Sequence, residues 1–345
     1  MKWDFAIGNP AYQAAVDETG DNKTFSAPVY NFFLDEAFKI ADKVEMIHPA
    51  RFLFNAGSTP KSWNEKMLSD PHYKVLEYEE DAAKVFSNTD IKGGVAITYH
   101  DKSKEFGAIQ TFTKYPELNG ILRKVVESEK FESISGDVIT RTAYRLTDKL
   151  HEDYPNAINQ LSNGHPYDMS TNIFDRLPQV FFDTQPEEKG YIKILGRIGT
   201  SRTYKYILKE YVNSPINLYK YKVFLPSANG NGTFGETLSQ PVLGMPGTGS
   251  TETFISIGTV ENEHQANAIL NYIKSKFLRA MLNVLKTTQH LTPAVWKYVP
   301  LQDFTENSDI NWNASIANID KQFYKKYGLS QEEIDFIETH VKEMV

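Results

Sequence analysis

The sequence predicts an α/β sheet in roughly its first 110 residues, then an irregular α+β region, then C-terminal helices. Three observations predict this order. Short apolar runs with strand spacing alternate with runs of helical spacing over that first stretch. From Pro116, Asn, Gly, Pro and aromatic residues break the alternation. Helical spacing returns at Glu263 and again after Ser330.

Each element follows from its residues. Trp3-Asp4-Phe5-Ala6-Ile7 reads as a short buried strand ending at Gly8-Asn9-Pro10. A domain rarely begins with a buried central strand, so part of the sheet is expected upstream. Tyr30 to Ala41 has helical spacing, with Phe33, Leu34, Ala37, Phe38 and Ala41 on one stripe. Lys43 to Ile47 reads as the next strand, closed by His48-Pro49, and a helix is expected near Ser62 to Leu68. Tyr73 to Tyr78 and Gly94 to Tyr99 read as further strands. Gly230 to Gly249 is glycine-rich and predicts a long loop, or two loops around a strand. Ala266, Ile269, Ile273, Phe277, Met281 and Leu285 then predict one long helix from Glu263 to Lys286. In the tail, Ser330 with Glu333 three residues on is a capping box, followed by the stripe Ile334, Ile337, Val341 and Met344.

Composition narrows the function classes. The absence of cysteine excludes disulfides, zinc–thiolate sites and cysteine nucleophiles. No run approaches the roughly 18 apolar residues of a membrane span, and Met1 to Phe5 has no signal-peptide pattern, so a cytoplasmic location is expected. The net charge of −7 argues against a general polyanion binder, but a local field can still bind DNA. Between Tyr191 and Lys222 the only acid is Glu210, against Lys193, Arg197, Arg202, Lys205, Lys209, Lys220 and Lys222. The acid run Glu77, Glu79, Glu80 and Asp81 reads as a solvated face, and His48, His72 and His100 as too scattered for a metal. No Pro-Asp strand followed by Glu-x-Lys supports nuclease chemistry.

The residues that carry chemistry are Asn9-Pro10-Ala11-Tyr12. Methylating an exocyclic amine is difficult because its lone pair is delocalised into the base. Acceptors on the two N–H groups concentrate that lone pair toward the incoming methyl. The Asn9 side chain offers one carbonyl, and Pro10 a backbone carbonyl of restricted direction. Tyr12 offers a flat face for a base drawn out of the duplex. The alternative is a plain Gly-Asn-Pro turn after a strand.

In this context the sequence resembles the adenine-N6 DNA methyltransferases of the fused restriction-methylase type. Their motif is Asn-Pro-Pro-Tyr, preceded by an Asp-x-x-x-Gly strand as in Asp4 to Gly8. A helix like Tyr30 to Ala37 follows, then a strand like Met46-Ile47-His48-Pro49, then a phenylalanine before a strand, matched by Val85-Phe86 through Val95. The tail resembles the family at Val299 to Thr305, Asp309 to Trp312 and Tyr327 to Ser330. The resemblance implies a partial Rossmann-like methyltransferase sheet, its second half, at 1–115. It implies an α+β target-recognition domain at 116–305 and a helical tail at 306–345. It further implies that Asn9 and Pro10 hold the target amine and that Tyr12 and Phe86 sandwich the flipped adenine. Phe33 would lie beside the adenine of S-adenosylmethionine; a core position in the helix stripe is the alternative for Phe33, and an ordinary core role for Phe86.

Two departures matter. Ala11 replaces the family's second proline, at a cost in chain stiffness below about 1 kcal/mol. No Asp-x-Phe-x-Gly-x-Gly loop precedes the motif, and the glycines from Gly230 to Gly249 follow no strand–loop–helix signature. The donor-binding loop is therefore expected in an upstream segment or polypeptide. Double-stranded DNA is the expected partner. Arg197 and Arg202 are candidates for guanine contacts, and Lys193, Lys205 and Lys209 for phosphates; a strand pair with solvated lysines is the bland alternative. A non-catalytic DNA-specificity module with a degraded motif is the competing function.

Overall fold

The fold is that of a computed structural model, which describes residues 2–14, 27–87, 91, 93–286 and 288–344. The chain divides into two compact units, Met1–Asn119 and Gly120–Val345.

The first unit is built on a four-stranded sheet. Its elements are β1 (Trp3–Gly8), α1 (Tyr30–Ile40), β2 (Ala41–Pro49), α2 (Lys61–Ser69), β3 (Tyr73–Glu79) and β4 (Val95–Asp101). The spatial order is β1-β2-β4-β3. β1 and β2 run parallel with α1 as their crossover, and β4 is antiparallel to both β2 and β3. The register places Ala6, Val44, Met46 and His48 on one face with Ala96, Thr98 and His100. α1 covers that face, and an aromatic-rich core of Tyr30, Leu34, Phe52, Trp63, Met67 and Tyr73 fills it.

The other face is bare at β1. Trp3 is 56%, Phe5 46% and Ile7 73% exposed. The buried central strand expected from the sequence is therefore an edge strand here. It has one partner, β2; among the described residues no strand pairs with its second edge and no helix covers Trp3, Phe5 and Ile7. The apolar residues form the strand that their pattern predicts, but burial needs neighbours on both sides.

His48 shows how tightly the covered face is built. It is buried, stacks on Tyr30 (centroids 5.6 Å, 4° between planes), and its Nδ1 lies 3.1 Å from the Pro49 carbonyl. That Nδ1–H tautomer leaves Nε2 to accept from the Thr98 hydroxyl at 2.8 Å. Burial pushes the ring down to about 4. The folded state thus resists a proton that the unfolded chain accepts near about 6.5, so stability is complete above that pH and falls as pH drops toward 4. Between pH 7 and 4.5 this group should remove about 2 kcal/mol. Denaturant unfolding of wild type and His48→Gln at both pH values checks this: the variant should lose less stability on acidification by that amount.

The second unit opens with α3 (Pro116–Val126), which straddles the division. Its buried stripe of Leu118, Ile121, Leu122 and Val125 has helical spacing, and Pro116 opens the helix; Gly120 in its middle is the residue that argues against it in the sequence. There follow β5 (Val138–Ile139), β6 (Arg145–Leu146), α4 (Asp148–Asp153), α5 (Ala157–Gln160) and α6 (Ile173–Arg176). The main strands are β7 (Tyr191–Ile198), β8 (Ser201–Leu208), β9 (Val212–Asn213), β10 (Tyr221–Pro226), β11 (Val242–Gly244), β12 (Thr248–Ser250) and β13 (Phe254–Val260). They form a β12-β7-β8 sheet, a β11-β10-β13-β5 sheet and a β6-β9 pair. β7 and β8 make a hairpin turned at Gly199 (φ +58°) and Thr200, as expected of a two-residue loop led by glycine. One face of the hairpin, with Ile192, Ile194 and Ile207, enters a core containing Tyr144, Phe174 and Phe181. Gly196 lets the strand approach: a Cβ there would stand 2.5 Å from the Phe174 ring. The glycine-rich stretch holds β11 and β12, two short strands between loops.

The chain ends in α7 (Glu263–Lys274), α8 (Lys276–Leu282), α9 (Ile316–Lys326) and α10 (Gln331–His340). The single helix expected from Glu263 to Lys286 breaks at Ser275. That residue is extended (φ −62°, ψ 145°) and its side chain accepts from the Leu278 amide, so it ends one helix and caps the next. Asp320 accepts from the freed Lys276 and Phe277 amides at 3.1 and 2.9 Å. Apolar spacing continues across the break, and so it reads as one helix. The Ser330–Glu333 capping box forms as expected. Among the described residues no helix is long and apolar enough to cross a membrane.

Candidate functional site

β1 delivers Asn9 and Pro10 at its carboxyl end, the end at which ligands bind in open α/β sheets. Asn9 is exposed and Pro10 half-buried. The chain then folds back on the entry to α1. Gln13 bridges Pro28, the Ala14 amide donates to Ala27 O at 2.9 Å, and the Val29 amide donates to Tyr12 O at 3.1 Å. Tyr12 is thereby tied to the residue preceding α1.

The Tyr12 ring meets Phe86 with centroids 6.3 Å apart and planes at 66°, an edge-to-face contact. Phe86 is placed by a short helical turn, Ala82–Lys84, which Asp81 caps through the Ala83 amide, and by its own amide donating to Ala82 O at 2.8 Å. A base held between two parallel rings needs about 7 Å, twice a carbon contact of about 3.5 Å. One ring must therefore turn before a base fits between them. Burial raises the pKa of the Tyr12 hydroxyl, and the Asn9 side chain beside it partly offsets the rise.

Phe33 is 49% exposed, so the core alternative for it is overturned. The buried line of α1 runs through Tyr30, Leu34 and Ala37, and Phe33 lies about 100° around the helix from Leu34. Within the Val85 to Val95 block, residues 88–90 and 92 fall outside the described residues. The histidines are less scattered than the sequence suggested. His72 and His100 approach to 6.2 Å between ring centroids, with His100 Nε2 3.3 Å from Asp70 Oδ2. Among the described residues no group of three His, Asp or Glu is arranged to hold a metal. The acid run is exposed or half-buried and meets lysines: Glu79 with Lys84, Glu80 with Lys114.

Residues 1–86 match the Eco57I restriction-modification methylase family. The matched segment contains all five residues Asn9, Pro10, Tyr12, Phe33 and Phe86. No curated protein matches the chain. Among solved structures, the type IIG restriction endonuclease BpuSI is 9% identical, with a TM-score of 0.31, over 92% of this chain and 50% of its own. The type IIL restriction-modification enzyme MmeI, solved in complex with DNA, is 10% identical, with a TM-score of 0.33, over 97% of this chain and 56% of its own. The chain spans about half the length of these two structures.

The second unit sorts the basic residues by face. In the β7–β8 register, Lys193 pairs with Tyr206, Leu195 with Tyr204, and Arg197 with Arg202. Directly opposed residues share a face, so Lys193, Arg197, Arg202, Tyr204 and Tyr206 share one with Leu195, which is buried there against Phe224 and Phe254. Lys205 points to the opposite face and pairs with Asp183 at 2.8 Å. Lys209, beyond β8, donates to the Val212 carbonyl at 3.0 Å. The structure thus joins three of the five basic candidates and separates two. The tyrosines were not singled out from the sequence, although Tyr204 and Tyr206 already show strand spacing beside Arg202.

Proposed function

We propose that this chain is the target-base and DNA-reading component of a site-specific adenine-N6 DNA methyltransferase in a restriction-modification system. The observation that carries this reading is the placement of Asn9 and Pro10 at the carboxyl end of a parallel strand, with Tyr12 against Phe86 beside them. The Asn9 side-chain carbonyl and the Pro10 backbone carbonyl accept from the two N–H groups of the adenine amine. That arrangement concentrates the nitrogen lone pair along the direction of methyl transfer, where charge develops. Tyr12 and Phe86 take the flipped base once one ring rotates.

S-adenosylmethionine supplies the methyl group in this chemistry. The described residues do not make a donor site by themselves: Phe33 offers one exposed aromatic face, and no glycine turn joins a strand to a helix beside β1. The free edge of β1 and the bare Trp3, Phe5 and Ile7 face support completion by a further segment or polypeptide. A parallel strand added there would carry the donor loop, and its helices would cover the apolar face. Residues 1–115 form the second half of the catalytic sheet in this reading, residues 116–305 read DNA, and 306–345 support them.

The hairpin presents its basic face to duplex DNA. Two arginines directly opposed across a hairpin repel each other, which favours an anionic partner at that point. Arg202→Ala should weaken duplex binding by about 5- to 150-fold, the range of one lost bidentate base contact, in fluorescence anisotropy at fixed salt. Lys205→Ala should change it far less, since Lys205 faces Asp183.

The test is methyl transfer from labelled S-adenosylmethionine to duplex DNA by the chain supplied with its completing segment. N6-methyladenine is the expected product; another methylated base contradicts the assignment. The closed Tyr12–Phe86 contact and Ala11 favour one second reading, a non-catalytic DNA-specificity module. It gives duplex binding with no methylation under any complementation.

A further inference from the structure

Beside the basic face of the hairpin lies a cleft of about 300 Å³, near the lower end of ligand-pocket sizes. Tyr191, Lys193, Tyr204 and Tyr206 line one side, and Met245, Pro246 and Gly247 of the β11–β12 turn line the other. The turn is fixed to the hairpin: the Lys193 amide donates to Gly247 O at 3.0 Å, and β12 pairs with β7 in parallel from Thr248 onward. A Cβ at Gly247 would meet nothing within 4 Å, so that wall is open to an incoming group. The cleft is therefore present before anything binds.

Its chemistry is two-sided. Lys193 Nζ lies 4.5 Å from the Tyr204 ring centroid and 5.9 Å from that of Tyr206. The ring faces hold the ammonium in place without neutralising it. Among the described residues Lys193 forms no ion pair, whereas Lys205 on the other face does. The site offers a pre-positioned cation beside aromatic and apolar walls. A nucleotide is the group that joins a planar ring to an anion at this scale. A nucleotide inside a duplex has both ring faces covered, so the ring that enters must be unstacked. Arg197 lies four residues along β7 on the same face, about 13 Å away at roughly 3.3 Å per residue. Between them Leu195 is buried against Phe224 and Phe254, so the arginine pair and the cleft flank that contact on one face.

We propose that the Tyr191–Lys193–Tyr204–Tyr206 cleft seats a single unstacked nucleotide of the bound DNA, its phosphate on Lys193 and its base against the tyrosines. This is a second nucleotide pocket, separate from the Tyr12–Phe86 site, and it rests on the DNA-reading role given above. The experiment compares a fully paired duplex with the same duplex carrying one unpaired 5-iododeoxyuridine. Anisotropy gives the two affinities, and ultraviolet cross-linking followed by peptide mapping gives the contacted residue.

The bulged duplex should bind about fivefold or more tighter, a stacking-sized gain, and should cross-link to Tyr191, Tyr204 or Tyr206. Tyr206→Ala should bring the affinity ratio to about one, and Tyr206→Phe, which keeps the ring, should retain it. Equal affinities in wild type overturn the proposal, as does cross-linking at Tyr12 or Phe86. A ratio that survives Tyr206→Ala overturns it too. If the paired duplex binds normally in those cases, only the cleft assignment fails. If neither duplex binds, the DNA-reading role fails with it.

Discussion

Replacing Asn9 with Ala is expected to lower methyl transfer by the completed enzyme about 10²- to 10³-fold, with duplex affinity nearly unchanged. The magnitude is that of removing one preorganised hydrogen-bonding group aimed at charge in a transition state. The split between rate and affinity follows from the geometry. Asn9 is exposed at the end of β1 and contributes nothing to the core beneath α1, so the variant should fold as the parent does. Its proposed interaction strengthens only as the amine becomes nucleophilic, so the loss should appear in kcat rather than KM. Single-turnover kinetics with labelled donor measures it. A rate within threefold or so of wild type would remove Asn9 from the role given it.

Asp320→Ala is expected to cost the second unit about 2–5 kcal/mol, the range for leaving two buried amides without their acceptor at about 1–3 kcal/mol each. Asp320 is 1% exposed and ends the break between α7 and α8 by accepting both freed amides. Arg279 beside it is fully buried, and among the described residues its Nη1 finds no hydrogen-bond partner. Removing the carboxylate strands two amides and takes a negative charge from near the guanidinium, which keeps its bonds to the Ser275 and Lys274 carbonyls. Burial pushes the Asp320 carboxyl up to about 6 from its ordinary 3.8, so the folded state holds a proton that the unfolded chain has already released. Wild type should therefore gain on the variant as pH falls from 7 toward 5. Guanidinium unfolding at both pH values gives the size and the sign.

How far the sequence could be read depends on whether a signal is local. The helix at α1 with Leu34 and Ala37 on its buried line, the strand at β4 and the Ser330–Glu333 capping box are properties of adjacent residues and are found where expected, although Phe33 of the expected α1 stripe turns outward. The placement of Asn9 and Pro10 at the end of a strand was equally legible, because one short segment carries it. What depended on partners was not. Trp3, Phe5 and Ile7 form a strand by propensity, but their exposure is decided by how many neighbours β1 has. The break at Ser275 combines that residue's own cap with acceptors from Asp320, far along the chain. In the hairpin, strand period two already separates Lys205 from Arg202, Tyr204 and Tyr206. Which of them joins Lys193 and Arg197 follows only from the register set at Gly199. The meeting of Tyr12 with Phe86 is a tertiary event, and from sequence it came only through family resemblance.

In the proposed function this chain holds the target base and reads the DNA, while the methyl donor is bound by residues added at the free edge of β1. Calorimetric titration with S-adenosylmethionine tests it most directly, on the chain alone and with the completing segment added. No binding by the chain alone, and micromolar binding once the segment is present, is the predicted result. Micromolar binding by the isolated chain would contradict it.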